Sequence, residues 1–540
     1  MRKPTLAQTY AVTFVAFFCA VLVSPGLLMG RNDPWDSIKE GREPAEFPQL
    51  YGGDGALNPV SKEVFEEGFN DHLGLRDDYI RLRANVYVGL LRKSTSEAVY
   101  LGKGGWYFFA QENNIETATG EYPLGEAELE AIARNQQAIH DWYSSQGIDY
   151  VLVLTPSKAT VYPEFLYGDY TVGQSPIDTV EQYLQEHTDV TVVNTKPAIL
   201  AAKMAGQQVY WKGDTHWTSN GSYAAYEVLV KAMNEAGVLV DEPPSPAVPV
   251  FGEGAVEPGD LKRMLGDQYL FGSSAERIDG LSISQTSRRL PGDSPLVAES
   301  SEMVEGLLGS FVGLLAAYDN PAKAGTLLVY GDSFWRPERK LPVFLAEHYG
   351  RLVYAGKIPR IILELDELVA PDTVVLSSTE RFLVPRLTEP QDIPLVVADP
   401  TFLDLPVRRT VSGEGPYAGG LVVDMLDGEE SAGDTLRIDG EDVSYHTISG
   451  WAVDSGAGLP LERLYLKTGG VFIECKYGSS RPDVAEHFGN DAISNVGYSA
   501  IIPSELLDGV DSISFIAVGA DGTYRLPERS FTTRQSAKAR

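Results

Sequence analysis

Apolar positions fall into three regimes along the chain. The first is one uncharged run, Thr5 to Gly30, with the apolar part AVTFVAFFCAVLVSPGLLMG directly behind Arg2 and Lys3. About twenty apolar residues suffice to cross a bilayer as a helix. Positive charge ahead of such a run holds that end in the cytoplasm and sends the rest outward. No A-x-A pattern closes the run, which favours an uncleaved anchor over residues 1–30 against a signal peptide removed near Pro25 and Gly26. Residues 31–60 are rich in Pro, Gly and acidic side chains and suit a tether.

The second regime alternates strand and helix. VFEEGFNDHLGLRDDYIRLRANVYVGLLRK has apolar residues at helical spacing, and VYLGKGGWYFF from Val99 predicts a strand around a Gly-rich turn. Helices are predicted over 127–145 and from just after His216 to about Ala236. Buried strands are predicted at DYVLVLTP (149–156), DVTVVNT (189–195), TLLVY (326–330), RLVYAG (351–356) and DTVVLSS (372–378). Short continuous apolar strands separated by helices are the mark of a parallel sheet covered on both faces, an α/β/α sandwich. Residues 240–325 break the rhythm with Pro, Gly, Ser and charge and read as an insertion or lid.

In the third regime, from about residue 400, helical periodicity gives way to short alternating segments between Gly, Asp and Asn turns. GGLVVDML, YHTISGWAVD, LERLYLKTGG, VFIECKYG and ISFIAVGADGTYR are among them, a pattern that predicts an all-β sandwich. The expected organisation is therefore an anchor (1–30), a linker (31–60), an α/β unit (61–398) and a β-sandwich (399–540), with the boundary at ADPTFLDLP (398–406).

Composition narrows the partners. A chain of 540 residues exceeds one ordinary core, and its formal charge of −31 repels polyphosphate over most of the surface. That argues against nucleic acid as a partner and counts mildly against a strongly anionic glycan. Of the two cysteines, Cys19 lies in the apolar run and Cys475 stands alone in the exported part. No disulfide can join two exported segments, so each unit relies on its own core.

Candidate chemistry centres on two short stretches. LVYGDSFW puts Ser333 at the end of a buried strand, in a turn at the carboxyl edge of the sheet, where active sites of open α/β sheets collect and backbone N–H groups can serve an oxyanion. Serine needs an adjacent base, and the base an orienting carboxylate. WKGDTHWTSNGSYAAY offers both as Asp214 and His216. Alone, that pair reads equally as a solvated turn or a metal fragment, but no neighbouring His or Cys completes a metal set. His72, His140, His187, His348, His446 and His487 are scattered and read as structural.

The order of FNDHLGLRDDYI, LGKGGWYFF, LTPSKATVYPE, GDTHWTSNGSYAAY, GDLKRML, LVYGDSFW and PDTVVLSSTERFL resembles the exported polysaccharide O-acetyltransferases of the alginate type, the AlgX/AlgJ-like branch of the SGNH-hydrolase superfamily. The resemblance covers roughly residues 60–390. It implies an SGNH-hydrolase-like fold with Ser333 as nucleophile, His216 as general base and Asp214 as its orienting partner. It implies Lys158, Tyr162 and Arg381 as pocket-lining residues, and Trp217 and Trp335 as packing on a sugar ring, with a core role as the alternative for either. It implies no cofactor, a polysaccharide acceptor, and a membrane-bound O-acyltransferase as acetyl supplier at the periplasmic or outer face of the membrane. The acidity departs from the family's polyanionic acceptor and points to another exopolysaccharide or cell-surface glycan. An esterase with the same residues and a non-catalytic glycan-binding scaffold are the alternatives. In the sandwich, Trp451, Tyr477 and Arg481, with Asp483, offer a sugar-binding face; the competing reading is core packing and a loop staple.

Overall fold

A computed structural model describes residues 6–28, 45–51, 56 and 60–535, apart from 123, 169–174, 239–249, 257–258, 267–275, 309–314, 357–359, 398–408, 411–419, 432–434, 439–442, 455–457, 508–509, 511, 520–521 and 526–530. The predicted boundary at 398–406, the tip of GADGTYR and most of the linker lie outside the described residues. Helix α1 (Leu6–Leu27) carries the apolar run, and its stretch Tyr10–Leu27 is long and apolar enough to cross a membrane, with mean hydropathy 2.0. Helices α2 (Lys62–Asp71) and α3 (Arg76–Ala84) follow, the latter continuing into a π-helical stretch, Asn85–Leu90.

The α/β unit is built on a seven-stranded mixed sheet. Its strands are β1 (Asp149–Thr155), β2 (Thr191–Asn194), β3 (Arg288–Arg289), β4 (Leu315–Asp319), β5 (Thr326–Gly331), β6 (Arg351–Gly356) and β7 (Thr373–Thr379), in the order β2-β1-β7-β5-β6-β4-β3. The five strands from β2 to β6 run parallel. β4 and β3 add antiparallel at one edge, so the sheet is not wholly parallel as the sequence pattern suggests. The reason is local: LAAYD and the helix Pro295–Leu308 lie inside the stretch that reads as an insertion, where Gly, Pro and charge hide them. Antiparallel edge strands on parallel sheets are common.

Alternation along the strands sorts side chains into two layers. Val151, Val153, Leu327 and Val329 face a core shared with Trp217, Tyr223 and Phe334. Tyr150, Leu152, Leu154, Leu328 and Leu376 face the other, against Ile132, Ile139 and Trp142 of helix α4 (Glu126–Ser145) and Leu365. Both faces are covered, which is why these strands read as unbroken apolar runs.

The second layer buries a carboxyl. Asp366 accepts hydrogen bonds from the hydroxyls of Tyr143 (2.8 Å) and Tyr330 (2.6 Å). Burial pushes its pKa up to about 7, against the pull of those two hydrogen bonds. An acid whose pKa is raised by folding stabilises the fold fully below its unfolded pKa, near 4, and loses that contribution as pH rises toward 7. Wild-type denaturation midpoints are therefore expected to fall between pH 4 and pH 7 relative to Asp366→Asn, and to run parallel with the variant above that window. A pH series of urea midpoints on both proteins checks this.

Two further sheets form the C-terminal sandwich. In one, β8 (Leu421–Leu426), β9 (Tyr445–Ala452) and β12 (Gly497–Pro503) pair antiparallel; in the other, β10 (Arg463–Thr468), β11 (Val471–Glu474) and β13 (Ser512–Gly519) do the same. Leu421, Ile448 and Ile502 of the first sheet share a core with Leu464, Ile473 and Phe515 of the second. Residues 395–397 run along β11, with Val397 N donating to Phe472 O (2.9 Å) and Glu474 N to Leu395 O (2.8 Å).

Candidate active site

Residues 211–216 form a tight loop, closed by the bridge between Tyr210 and Trp217 and by Trp211 N donating to His216 O (3.3 Å). Thr218 then caps helix α5 (Ser219–Glu235) by accepting from Gly221 N (3.3 Å). Gly221 has to be glycine: a Cβ there would lie 2.3 Å from Val209 O.

Lys158 fixes the loop from beneath. Its buried ammonium donates to the carbonyls of Trp211 (3.1 Å), Lys212 (3.1 Å) and Asp214 (2.7 Å), charge-assisted bonds worth roughly 1.5–3 kcal/mol each. The Tyr162 hydroxyl accepts from Val209 N (3.1 Å) just upstream, under the Lys203 ammonium, which sits 4.3 Å from its ring centroid. Both residues, read from sequence as pocket lining, are buried braces of the loop.

Asp214 is fully buried and hydrogen-bonds to four donors. His216 N (3.0 Å) and His216 Nδ1–H (2.8 Å) donate to Oδ1, and Asp260 N donates to Oδ2 (2.9 Å). The Arg339 guanidinium stands 3.1 Å from Oδ1. Burial alone would raise the Asp214 pKa; the hydrogen bond and charge of His216, the Arg339 guanidinium and the Asp260 N–H outweigh it and hold it well below the carboxylate range. With Nδ1 committed to donate, Nε2 is the acceptor, and the Ser333 hydroxyl donates to it at 2.7 Å.

Ser333 lies two residues beyond β5, at the carboxyl edge of the parallel strands, and is half-buried. A Cβ on Gly331 would lie 2.8 Å from both Trp335 Cβ and the Tyr354 ring, so the turn closes only with glycine there. Asp332 shapes the turn: its Oδ1 accepts from Phe334 N (2.9 Å), its Oδ2 from the Thr379 hydroxyl, and its carbonyl from Tyr354 (2.7 Å).

Two residues of this site have no role in the sequence reading. Asp260, at the start of α6 (Asp260–Leu265), brings Oδ2 to 3.4 Å from His216 Nδ1, while Oδ1 accepts from Thr215 N (2.7 Å) and Leu261 N (2.7 Å). Burial raises its pKa and the nearby Asp214 charge adds to that, yet its hydrogen bonds with His216 and Thr215 and the His216 charge leave it lowered. The GDLKRML landmark contains it, but spacing gives no reason to join it to His216. Arg339, in PERK, carries no sequence signal at all.

Asp214, His216 and Asp260 place ligand atoms within 4.8 Å of one another, a geometry that could hold a cation. The lack of a third ligand, the ground for setting metal aside from sequence, therefore does not hold. The donor set argues against a cation on other grounds. A guanidinium already sits on Asp214, both imidazole nitrogens are engaged, and the two carboxylates accept backbone N–H groups.

The remaining predicted residues are placed as follows. Trp217 and Trp335 are 1% and 0% exposed, in the core, with Trp217 edge-on to Phe334 at 5.0 Å; neither presents an open ring face. Arg381 lies beyond the end of β7, its Nε 2.9 Å from Glu112, and lines a cavity of about 170 Å³ with Glu112, Tyr122 and Glu380. In the sandwich, Trp451 packs edge-on to Phe488 (5.6 Å), and the Tyr477 hydroxyl donates to Ala452 O (2.6 Å) and accepts from Leu461 N (3.1 Å). Arg481 pairs with Asp424 (2.5 Å) and Asp483 (2.7 Å). Trp451 and Tyr477 pack on one small apolar cluster of Val453, Val484 and Ile493, and Arg481 ties Asp424 to Asp483, the arrangement of a staple.

Comparison with known proteins adds a resemblance over part of the chain. Residues 99–303 match the model of the SGNH hydrolase-like domain of acetyltransferase AlgX, a stretch that holds Asp214, His216 and Asp260 and ends before Ser333. The chain is 30% identical over 237 residues to the probable alginate O-acetylase AlgJ of Pseudomonas syringae pv. tomato, covering 43% of this chain and 57% of that one. It is 28% identical over 208 residues to the protein of the same name from Pseudomonas putida, covering 37% and 51%. The chain thus spans about half the length of these relatives. Among solved structures, it is similar to the O-acetyltransferase domain of Pseudomonas putida AlgJ at 20% identity and a TM-score of 0.37, over 53% of this chain and 92% of that one. By its sequence matches, the stretch 99–303 of this chain is similar to the SGNH hydrolase-like domain of the AlgX and AlgJ proteins.

Proposed function

We propose that the chain is an exported O-acetyltransferase that moves an acetyl group through a Ser333 ester onto hydroxyls of an exopolysaccharide or cell-surface glycan. The observation that carries this reading is the continuous line Ser333 Oγ–His216 Nε2 (2.7 Å) and His216 Nδ1–Asp214 Oδ1 (2.8 Å) at the open edge of the sheet. Oγ attacks the acetyl carbonyl of the donor as its proton passes to His216 Nε2. The imidazolium returns that proton to the leaving group, and acetyl stays on Ser333. A sugar hydroxyl then gives its proton to Nε2 and attacks the ester, and Ser333 regains its proton. Asp214 holds Nδ1 protonated throughout, so that Nε2 always faces the serine.

Around this centre, Lys158 and Tyr162 hold the loop, and Arg381 with its cavity is the proposed contact for the incoming sugar. The 61–398 unit carries the chemistry, α1 anchors it outside the membrane, and a membrane-bound O-acyltransferase brings the acetyl group. The 399–540 unit holds polymer; a groove of about 590 Å³ between α4 and the sandwich, with Arg134, Arg463, Lys476 and Tyr477 on its walls, is the support for that role. The net charge of −31 favours a neutral acceptor over a polyuronate.

The test is incubation of the purified protein with an acetyl ester and neutral or uronate oligosaccharides, read by mass spectrometry. Neutral oligosaccharides are expected to gain acetyl groups. Release of free acetate alone, with every oligosaccharide unchanged, would make the protein an esterase instead.

A further inference from the structure

Five of the exposed large apolar side chains fall within ten consecutive residues: Leu82 (60% exposed), Val86 (37%), Tyr87 (42%), Leu90 (75%) and Leu91 (50%). They line one side of α3 and its π-helical continuation, with Leu82, Val86 and Leu90 four residues apart along a single face. Ala84 and Val88 turn the opposite way and are buried, Val88 against Val99, Leu261 and Leu265. The helix is therefore already seated on the protein by its inner face, and the apolar outer row is a second face.

Charge and position identify what that face meets. Residues 76–93 hold five basic side chains (Arg76, Arg81, Arg83, Arg92 and Lys93) against two acidic ones, in a chain whose net charge is −31. The same helix begins beside the last turns of α1. The Tyr79 hydroxyl donates to Val21 O (3.0 Å), Gly74 N donates to Pro25 O (3.1 Å), and a Cβ on Gly74 would lie 2.6 Å from that oxygen. A helix that leaves the end of a membrane-spanning segment in this way stands at the depth of the lipid headgroups. An apolar row flanked by Lys and Arg is the pattern of helices that lie in that layer.

We propose that residues 82–93 dock on the outer leaflet of an anionic bilayer, with Leu82, Val86, Leu90 and Leu91 in the headgroup–acyl boundary and Arg92 and Lys93 on the lipid phosphates. This rests on the reading of α1 as a membrane anchor. Docking has a consequence for the site. Val88 packs on Leu261 and Leu265, and Thr95 donates to Leu265 O (2.8 Å), so the docked segment is fixed to α6, the helix that begins with Asp260. The bilayer surface would then set the height at which Ser333 receives an acetyl group delivered from the membrane.

The experiment uses the full chain in vesicles of equal parts phosphatidylethanolamine and phosphatidylglycerol, with single nitroxide labels. Native Cys19, in a Cys475→Ala background, reports α1. Leu90→Cys, with Cys19→Ser and Cys475→Ala, reports the proposed surface, and Ser145→Cys in the same background reports exposed α4. Labels at Cys19 and Leu90 are both expected to collide readily with oxygen and severalfold less with a water-soluble nickel complex than the label at Ser145. A Leu90 label as open to nickel as that at Ser145, with Cys19 in lipid, overturns the docking surface and leaves the anchor standing. A Leu90 label shielded from both reagents marks a protein contact, such as a second copy, and overturns it too. A Cys19 label in water removes the anchor and this inference with it.

Discussion

Ser333→Ala removes acetyl turnover, with an expected fall in kcat on the order of 10⁵–10⁶-fold when a triad serine is lost. The hydroxyl donates to His216 Nε2 at 2.7 Å and sits half-exposed at the end of β5, so its loss opens no core cavity. Thermal unfolding and near-UV circular dichroism of the variant are therefore expected to match wild type. The measurement also separates two chemistries the site could host. Were a cation held by Asp214, His216 and Asp260 the centre of the reaction, chelation would abolish turnover and Ser333→Ala would leave much of it. The serine reading requires the reverse: turnover unchanged by chelator and lost with the hydroxyl.

Arg339→Met is expected to have the next largest effect, though the residue does not touch Ser333. Its guanidinium is 3.1 Å from Asp214 Oδ1, and the two side chains are 8% and 0% exposed. Asp260, half-buried, adds a second carboxylate on the same imidazole. Removing the guanidinium leaves those two carboxylates on one imidazole without the guanidinium that balances Asp214. Breaking one side of a buried pair costs about 3–5 kcal/mol, which is roughly 10²–10⁴-fold if expressed at the site. The expected result is a fall of that size in kcat/KM, partial rescue by Arg339→Lys, and a double variant with Asp214→Asn that loses less than the sum of the two. Full additivity would mean that Arg339 acts elsewhere than through Asp214.

Much of the fold is legible in the chain because it is locally encoded. The strands at 149–155, 326–331, 351–356 and 373–379 and the helices at 126–145 and 219–235 lie within a residue or two of their predicted spans, each being a continuous apolar run or a clear helical period. The need for glycine in GDSFW and TSNGSYAAY came only from the structure, where Trp335 and Tyr354 crowd Gly331 and Val209 crowds Gly221. The antiparallel edge strands are not legible, because the Gly, Pro and charge around them break the apolar runs that mark the inner strands.

Within the candidate site, sequence alone determined three residue types and their order: an acid and a histidine two apart, then a serine after a buried strand. Motif order could suggest that these meet; tertiary structure decided the distances. It also decided what surrounds them. Asp260 and Arg339 reach Asp214 and His216 from separate segments, Lys158 turns from pocket to brace, and Trp217 and Trp335 turn inward. The physical reason is the same in each case. A residue's chemistry is written in its side chain, but its burial, its charge partners and the atom it faces are set by segments tens to more than a hundred residues away, and only the packed sheet brings those together.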